Sequence, residues 1–153
     1  MKNCKHLRVA ILLLVVSGLL SLVGCAKGAH VTPQYNAAVA VDDFASTLNG
    51  LQNTEIQLYS SGADVIDKSQ HVAFQQTFKQ AFQLNDQAVA AVAVGDFTSA
   101  RSYMNSALAL LSGLKPQLVN IKNANSQQLF TTALTTATTV LQNWINSLPP
   151  QKG

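Results

Sequence analysis

The chain has 153 residues, a formal net charge of +3 and only 11% charged side chains, while 48% of its residues are hydrophobic. Lys2, Lys5 and Arg8 account for the whole basic excess, because from residue 25 onward seven basic side chains stand against seven acidic ones. Such a length holds one ordinary domain, and its balanced remainder has no charge-driven case for binding nucleic acid or an anionic surface.

Behind the basic start comes an uncharged run of fifteen residues, from Val9 to Val23. A helix needs roughly twenty to span a bilayer. A basic head, a short apolar middle and a small-residue exit describe a cleaved export signal instead. The exit itself, Leu22-Val23-Gly24-Cys25, resembles the lipobox of bacterial lipoproteins. That resemblance implies that Cys25 takes diacylglycerol, that residues 1–24 are then removed, and that the new amino group receives a further chain such as palmitate. It also implies a lipid bilayer as partner and the cell envelope as location. Ala26 stands where lipoproteins kept in the inner membrane of some Gram-negative bacteria carry aspartate. The outer membrane is therefore implied for a Gram-negative host, and the outer face of the cytoplasmic membrane for any other.

Cleavage would remove Cys4 and lipidation would use Cys25, which leaves no thiol for a disulfide, a redox pair or a metal. Residues 25–32 then form the lipid-bearing cysteine and a tether that reaches at most roughly 25 Å. Thr32-Pro33 offers a helix start, threonine as cap and proline at the first helical position.

The spacing predicts four amphipathic helices over residues 33–148. Ala37, Val41, Phe44, Leu48, Leu51 and Leu58 mark the first, from Pro33 to Tyr59, with Glu55 on the same stripe. Ser60-Ser61-Gly62 stops it. A second helix is expected from Ala63 to Val94, with Phe74, Phe78, Ala81, Phe82, Ala88, Val89 and Val92 on its buried side. Gly95-Asp96 makes the next break and cap. In the third helix Phe97, Ala100, Met104, Ala107, Leu111, Leu114, Leu118 and Ile121 step by threes and fours. Pro116 interrupts that run, and a kink is expected because Leu118 and Ile121 keep the stripe; the alternative is an end near Gly113 with a short helical turn resuming after Lys115. After Asn123-Ala124 a fourth helix, capped by Asn125 or Ser126, carries Phe130, Leu134, Ala137, Leu141, Trp144 and Leu148. Its many threonines favour a strand, but the sustained helical rhythm outweighs them. Pro149-Pro150 ends it, and 149–153 are expected to be loose. Short connections make the simplest architecture an all-α, antiparallel up-down four-helix bundle behind the cleaved signal.

Gly95-Asp96-Phe97-Thr98-Ser99-Ala100, followed by Tyr103, Ala107, Leu108 and Leu110, resembles the second helix of a tetratricopeptide repeat. Ala88 and Leu84 stand where the first helix of such a repeat has glycine and tryptophan, so the likeness covers residues 81–114. It implies peptide binding without chemistry. No second copy occurs at a thirty-four-residue period, and a solenoid needs about three repeats.

Reactive constellations are sparse. A di-metal bundle needs several inward carboxylates and Glu-x-x-His pairs, whereas residues 25–153 hold one glutamate and two histidines, His30 and His71. No metal or other cofactor is expected, and His71 reads as a hydrogen-bonded interface histidine. Glu55 is either a buried acid or a rim residue paired with a cation such as Lys68. There is no Gly-x-Ser-x-Gly and no glycine-rich phosphate loop, so an enzyme is the least favoured reading. Two others remain: a structural or protein-interaction module with an envelope protein as partner, and a binder of an apolar or peptide ligand near Phe74, Phe78, Phe82 and Trp144. Asn, Gln, Ser and Thr make up 45 of the 129 residues from Cys25 onward, against 14 charged ones. A partner would therefore meet an uncharged polar surface, and Thr132, Thr136 and Thr139 on the fourth helix are the candidate face.

Overall fold

The computed structural model describes residues 32–62 and 65–149. The expected signal, Cys25 and the tether as far as Val31 lie outside these residues, as do 150–153. Four helices and one 3-10 segment account for nearly all of the rest: α1 Pro33–Ser60, α2 Lys68–Ala93, α3 Phe97–Ser112, a 3-10 turn Lys115–Asn120, and α4 Ala124–Ser147. No strand occurs among the described residues.

Each helix starts where a short polar side chain satisfies its first free N–H groups. Thr32 Oγ1 accepts from Tyr35 N–H at 3.2 Å, with Pro33 at the first position of α1. Asp67 and Gln70 form a reciprocal capping box on α2, Asp96 accepts from Ser99 N–H at 3.0 Å, and Asn123 accepts from Ser126 N–H at 3.0 Å. The cap of α4 is thus Asn123 rather than Asn125 or Ser126, because Ser126 donates to the cap and so already lies within the helix. For the same reason α2 begins at Lys68 and not at Ala63: the box on Asp67 fixes the start, and Ile66 just before it is fully buried.

Pro116 does not kink a continuous helix. It lacks the N–H that would bond the carbonyl of Ser112, and its ring crowds that carbonyl. The α-helix accordingly ends at Ser112 and a tighter turn takes over. Leu114, Leu118 and Ile121 stay buried across the change, since the three-residue period of the 3-10 turn keeps Leu118 and Ile121 on one side.

The helices form a ring in which α1 packs on α2 and α4, and α3 packs on α2 and α4. Alternate directions follow from cross-links at one end. Trp144 Nε1, late in α4, donates to the Ala37 carbonyl early in α1 at 3.0 Å. Arg101, early in α3, donates to the carbonyls of Ile145, Leu148 and Pro149 at 2.9–3.0 Å. The chain is therefore an all-α, up-down four-helix bundle. Phe44, Leu48, Phe74, Phe78, Met104, Leu111, Phe130 and Leu141 fill its interior with no measurable exposure. Burial of each such side chain contributes about 1.5–3 kcal/mol.

The buried stripe of α2 runs Phe74, Phe78, Ala81, Asn85, Ala88 and Val92. It passes through Asn85, while Val89, expected inside, is 44% exposed and Phe82 is half-buried. Among the described residues no helix is long and apolar enough to cross a membrane.

Candidate functional site

The one charged side chain in the described core is Glu55, which has no exposed surface. It sits on α1 between Leu51 and Leu58, where helical periodicity forces it inward. Taking a carboxylate out of water costs several kcal/mol unless it is well bonded. Both of its oxygens are bonded. His71 Nδ1 meets Oε1 at 2.8 Å and Gln75 Nε2 donates to Oε2. His71 and Gln75 are one turn apart on α2, so a single helix face brings both donors to the acid. Charge-assisted hydrogen bonds of this kind contribute about 1.5–3 kcal/mol each, the same order as the penalty they offset.

A second layer of contacts holds the donors. Gln52 Nε2, one turn before Glu55, donates to Gln75 Oε1 at 2.7 Å. The ring of Tyr59, one turn after Glu55, stacks on His71 with centroids 3.9 Å apart and planes 6° from parallel. The His71 side chain keeps 24% exposure. The contact of Nδ1 with Oε1 and the stacking of Tyr59 together fix the orientation of the imidazole. The partner of Glu55 is thus His71 and not Lys68.

Chemically this arrangement is an acid that orients an imidazole. No hydroxyl or thiol is bonded to His71 among the described residues. No cluster of three metal-ligating side chains occurs there either. As it stands, the group joins two helices through directional polar bonds.

The other positions singled out by sequence fall in separate places. Thr132, Thr136 and Thr139 are exposed on the outer side of α4. The hydroxyls of Thr132 and Thr136 donate to the carbonyls of Gln128 and Thr132 at 2.9 and 3.0 Å. Their polar atoms are thereby engaged within the helix, and the face they present is uncharged. Of the aromatic residues considered for an apolar ligand, Phe74, Phe78 and Trp144 are core, and Phe74 packs on Phe130 with centroids 5.2 Å apart. His71 lies on the α1–α2 seam, and Cys25 lies outside the described residues.

The apolar stripes pass over two features. Asn85 is 4% exposed and its Oδ1 has no hydrogen-bond partner among the described residues. Only its place in the four-three register could have flagged it. Arg101 binds carbonyls more than forty residues away, for which no local signal exists.

Compared with family models, curated proteins and solved structures, the chain matches none of them.

Proposed function

We propose that this is a bacterial envelope lipoprotein, held on a bilayer by acylated Cys25, whose bundle is a structural or protein-interaction module rather than an enzyme. The observation that carries this reading is the Leu22-Val23-Gly24-Cys25 exit behind a basic start and a run too short to span. The outer membrane follows in a Gram-negative host from Ala26, and the outer face of the cytoplasmic membrane in any other.

The packing favours an interaction module over a ligand-binding pocket. The aromatic side chains that would line an internal site are committed to the core, and the tetratricopeptide-like hairpin α2–α3 is covered by α1 and α4 rather than left open as in a solenoid. The proposed contact surface is the outer side of α4 around Thr132, Thr136 and Thr139. Threonine lowers helix stability at exposed sites by several tenths of a kcal/mol relative to alanine, so folding gives no reason for placing it there.

The test begins with the intact mass of protein extracted from membranes, which should correspond to a chain starting at acylated Cys25. A mass that retains residues 1–24, or an unmodified cysteine, overturns the anchor. Crosslinking in cells then compares the wild type with the Thr132→Ala, Thr136→Ala, Thr139→Ala variant. The variant should fold at least as stably and lose its crosslinked partner; an unchanged set of partners removes the threonine face.

A further inference from the structure

The end of the bundle from which the chain leads back to Cys25 carries an apolar groove. It lies between the first turns of α1 and the last turns of α2, is lined by Tyr35, Ala38, Val41, Val89, Val92 and Ala93, and encloses about 490 Å³. The α2–α3 turn borders it, because a side-chain carbon placed on Gly95 would lie 3.4 Å from Gln34 Nε2. Apolar side chains stand out around the opening: Tyr35 is 62% exposed and Val94, at the tip of that turn, is 80% exposed.

Thr32, the cap of α1, stands seven residues after Cys25. Seven extended residues reach at most roughly 25 Å, so an acylated Cys25 holds the start of α1 within that distance of the bilayer. We propose that the groove rim, with Tyr35 and Val94 as its contacts, rests in the interfacial layer of the membrane that holds the lipid anchor; the proposal depends on the lipoprotein reading above. An amphipathic tyrosine suits that layer, apolar in its ring and polar at its tip. The charges at this end select the lipid. Asp42 lines the groove and Asp96 is exposed in the turn, whereas the Arg101 guanidinium is engaged by the carbonyls that end α4. Among the described residues this surface therefore offers anionic headgroups carboxylates and no free cation, which favours zwitterionic lipid.

The test uses the full mature lipoprotein, purified from membranes and reconstituted in phosphatidylcholine vesicles. Val94→Cys supplies a thiol for a nitroxide, and Val119→Cys, 72% exposed in the 3-10 turn at the opposite end, serves as the control. The ratio of oxygen to nickel-chelate accessibility should be several-fold higher at position 94 than at 119, and should fall when phosphatidylglycerol replaces phosphatidylcholine. Equal ratios on acylated, vesicle-bound protein overturn the membrane contact and leave the anchor standing. Dipolar broadening at position 94, lost on dilution with unlabelled protein, overturns it in favour of a second copy on the groove. Protein recovered from membranes with an unmodified Cys25 overturns the anchor and the contact together.

Discussion

Helix α2 is joined to its two chain neighbours in opposite ways. Towards α3 it turns through Val94, Gly95 and Asp96, with Gly95 in the left-handed region at φ 76°, and fully buried alanines stand on both sides of the turn at Ala88 and Ala100. Small side chains let the helices approach closely, and the three-residue turn itself holds their register. Towards α1 the connection runs over residues 61–67, and the seam carries Glu55, His71, Gln75, Gln52 and Tyr59. A displacement by one turn there would leave a buried carboxylate without its donors. The contrast shows a division of labour: volume brings α2 and α3 together, and directional bonds fix which turn of α1 lies against which turn of α2.

The most damaging way to break the volume-based half is Leu111→Asp. Leu111 has no exposure on α3, and an unpaired charge there costs more than a domain of this size can spare. Circular dichroism should show no cooperative thermal transition; a retained melting temperature would remove Leu111 from the core. The polar half breaks less completely. His71→Leu takes one donor from Glu55 and should cost about 3 kcal/mol at neutral pH, read from urea denaturation. Combining it with Glu55→Leu should restore most of that stability while broadening the transition, because the apolar pair no longer selects a register. A double variant as sharply cooperative as the wild type would end the register argument.

A smaller gain is expected where the α2 stripe is polar without need. Asn85→Leu replaces a buried amide whose oxygen is unpartnered and should raise stability by about 1 kcal/mol; a lower melting temperature would reveal a role for the amide. The smallest effect concerns the N-terminal caps of α2 and α3. The Ser69 hydroxyl and the Gln70 N–H hold Asp67 below the usual carboxylate range, and Ser99 does the same for Asp96. A depressed folded value gives stability that is complete above about pH 4 and is lost as the pH falls through the folded values. Asp67→Asn and Asp96→Asn should flatten the acid limb of a stability–pH profile, and an unaltered limb would show that the caps do not titrate with folding.

Much of this architecture is legible in the residues. The stripes of α1 and α4 are buried as their spacing predicts, and Thr32 and Asp96 cap where expected. Glu55 could be placed inside from periodicity alone. Its partner could not, because the path of residues 61–67 decides whether His71 or Lys68 arrives opposite, and no pattern encodes that path. On α2 an apolar reading steps over Asn85 and lands on Val89, although the alternation of four and three required position 85. Pro116 announces an interruption, but whether the chain bends or stops depends on the Ser112 carbonyl one turn earlier. The proposed α4 face was legible only as composition, since threonine reads alike in a shallow gap and on a contact surface.

The bond between Trp144 and Ala37 closes the ring across 107 residues of chain, and that gives the fold an order in time. A chain that emerges from its N-terminus delivers α1 first and α4 last. Until α4 arrives, Ala37, Val41 and Phe44 lack one of the two helices that cover them. At ordinary synthesis speeds that wait is on the order of ten seconds, far longer than a helical hairpin takes to form. The α2–α3 pair can therefore be complete while α1 is still waiting, and the first helix made is among the last to be locked in place.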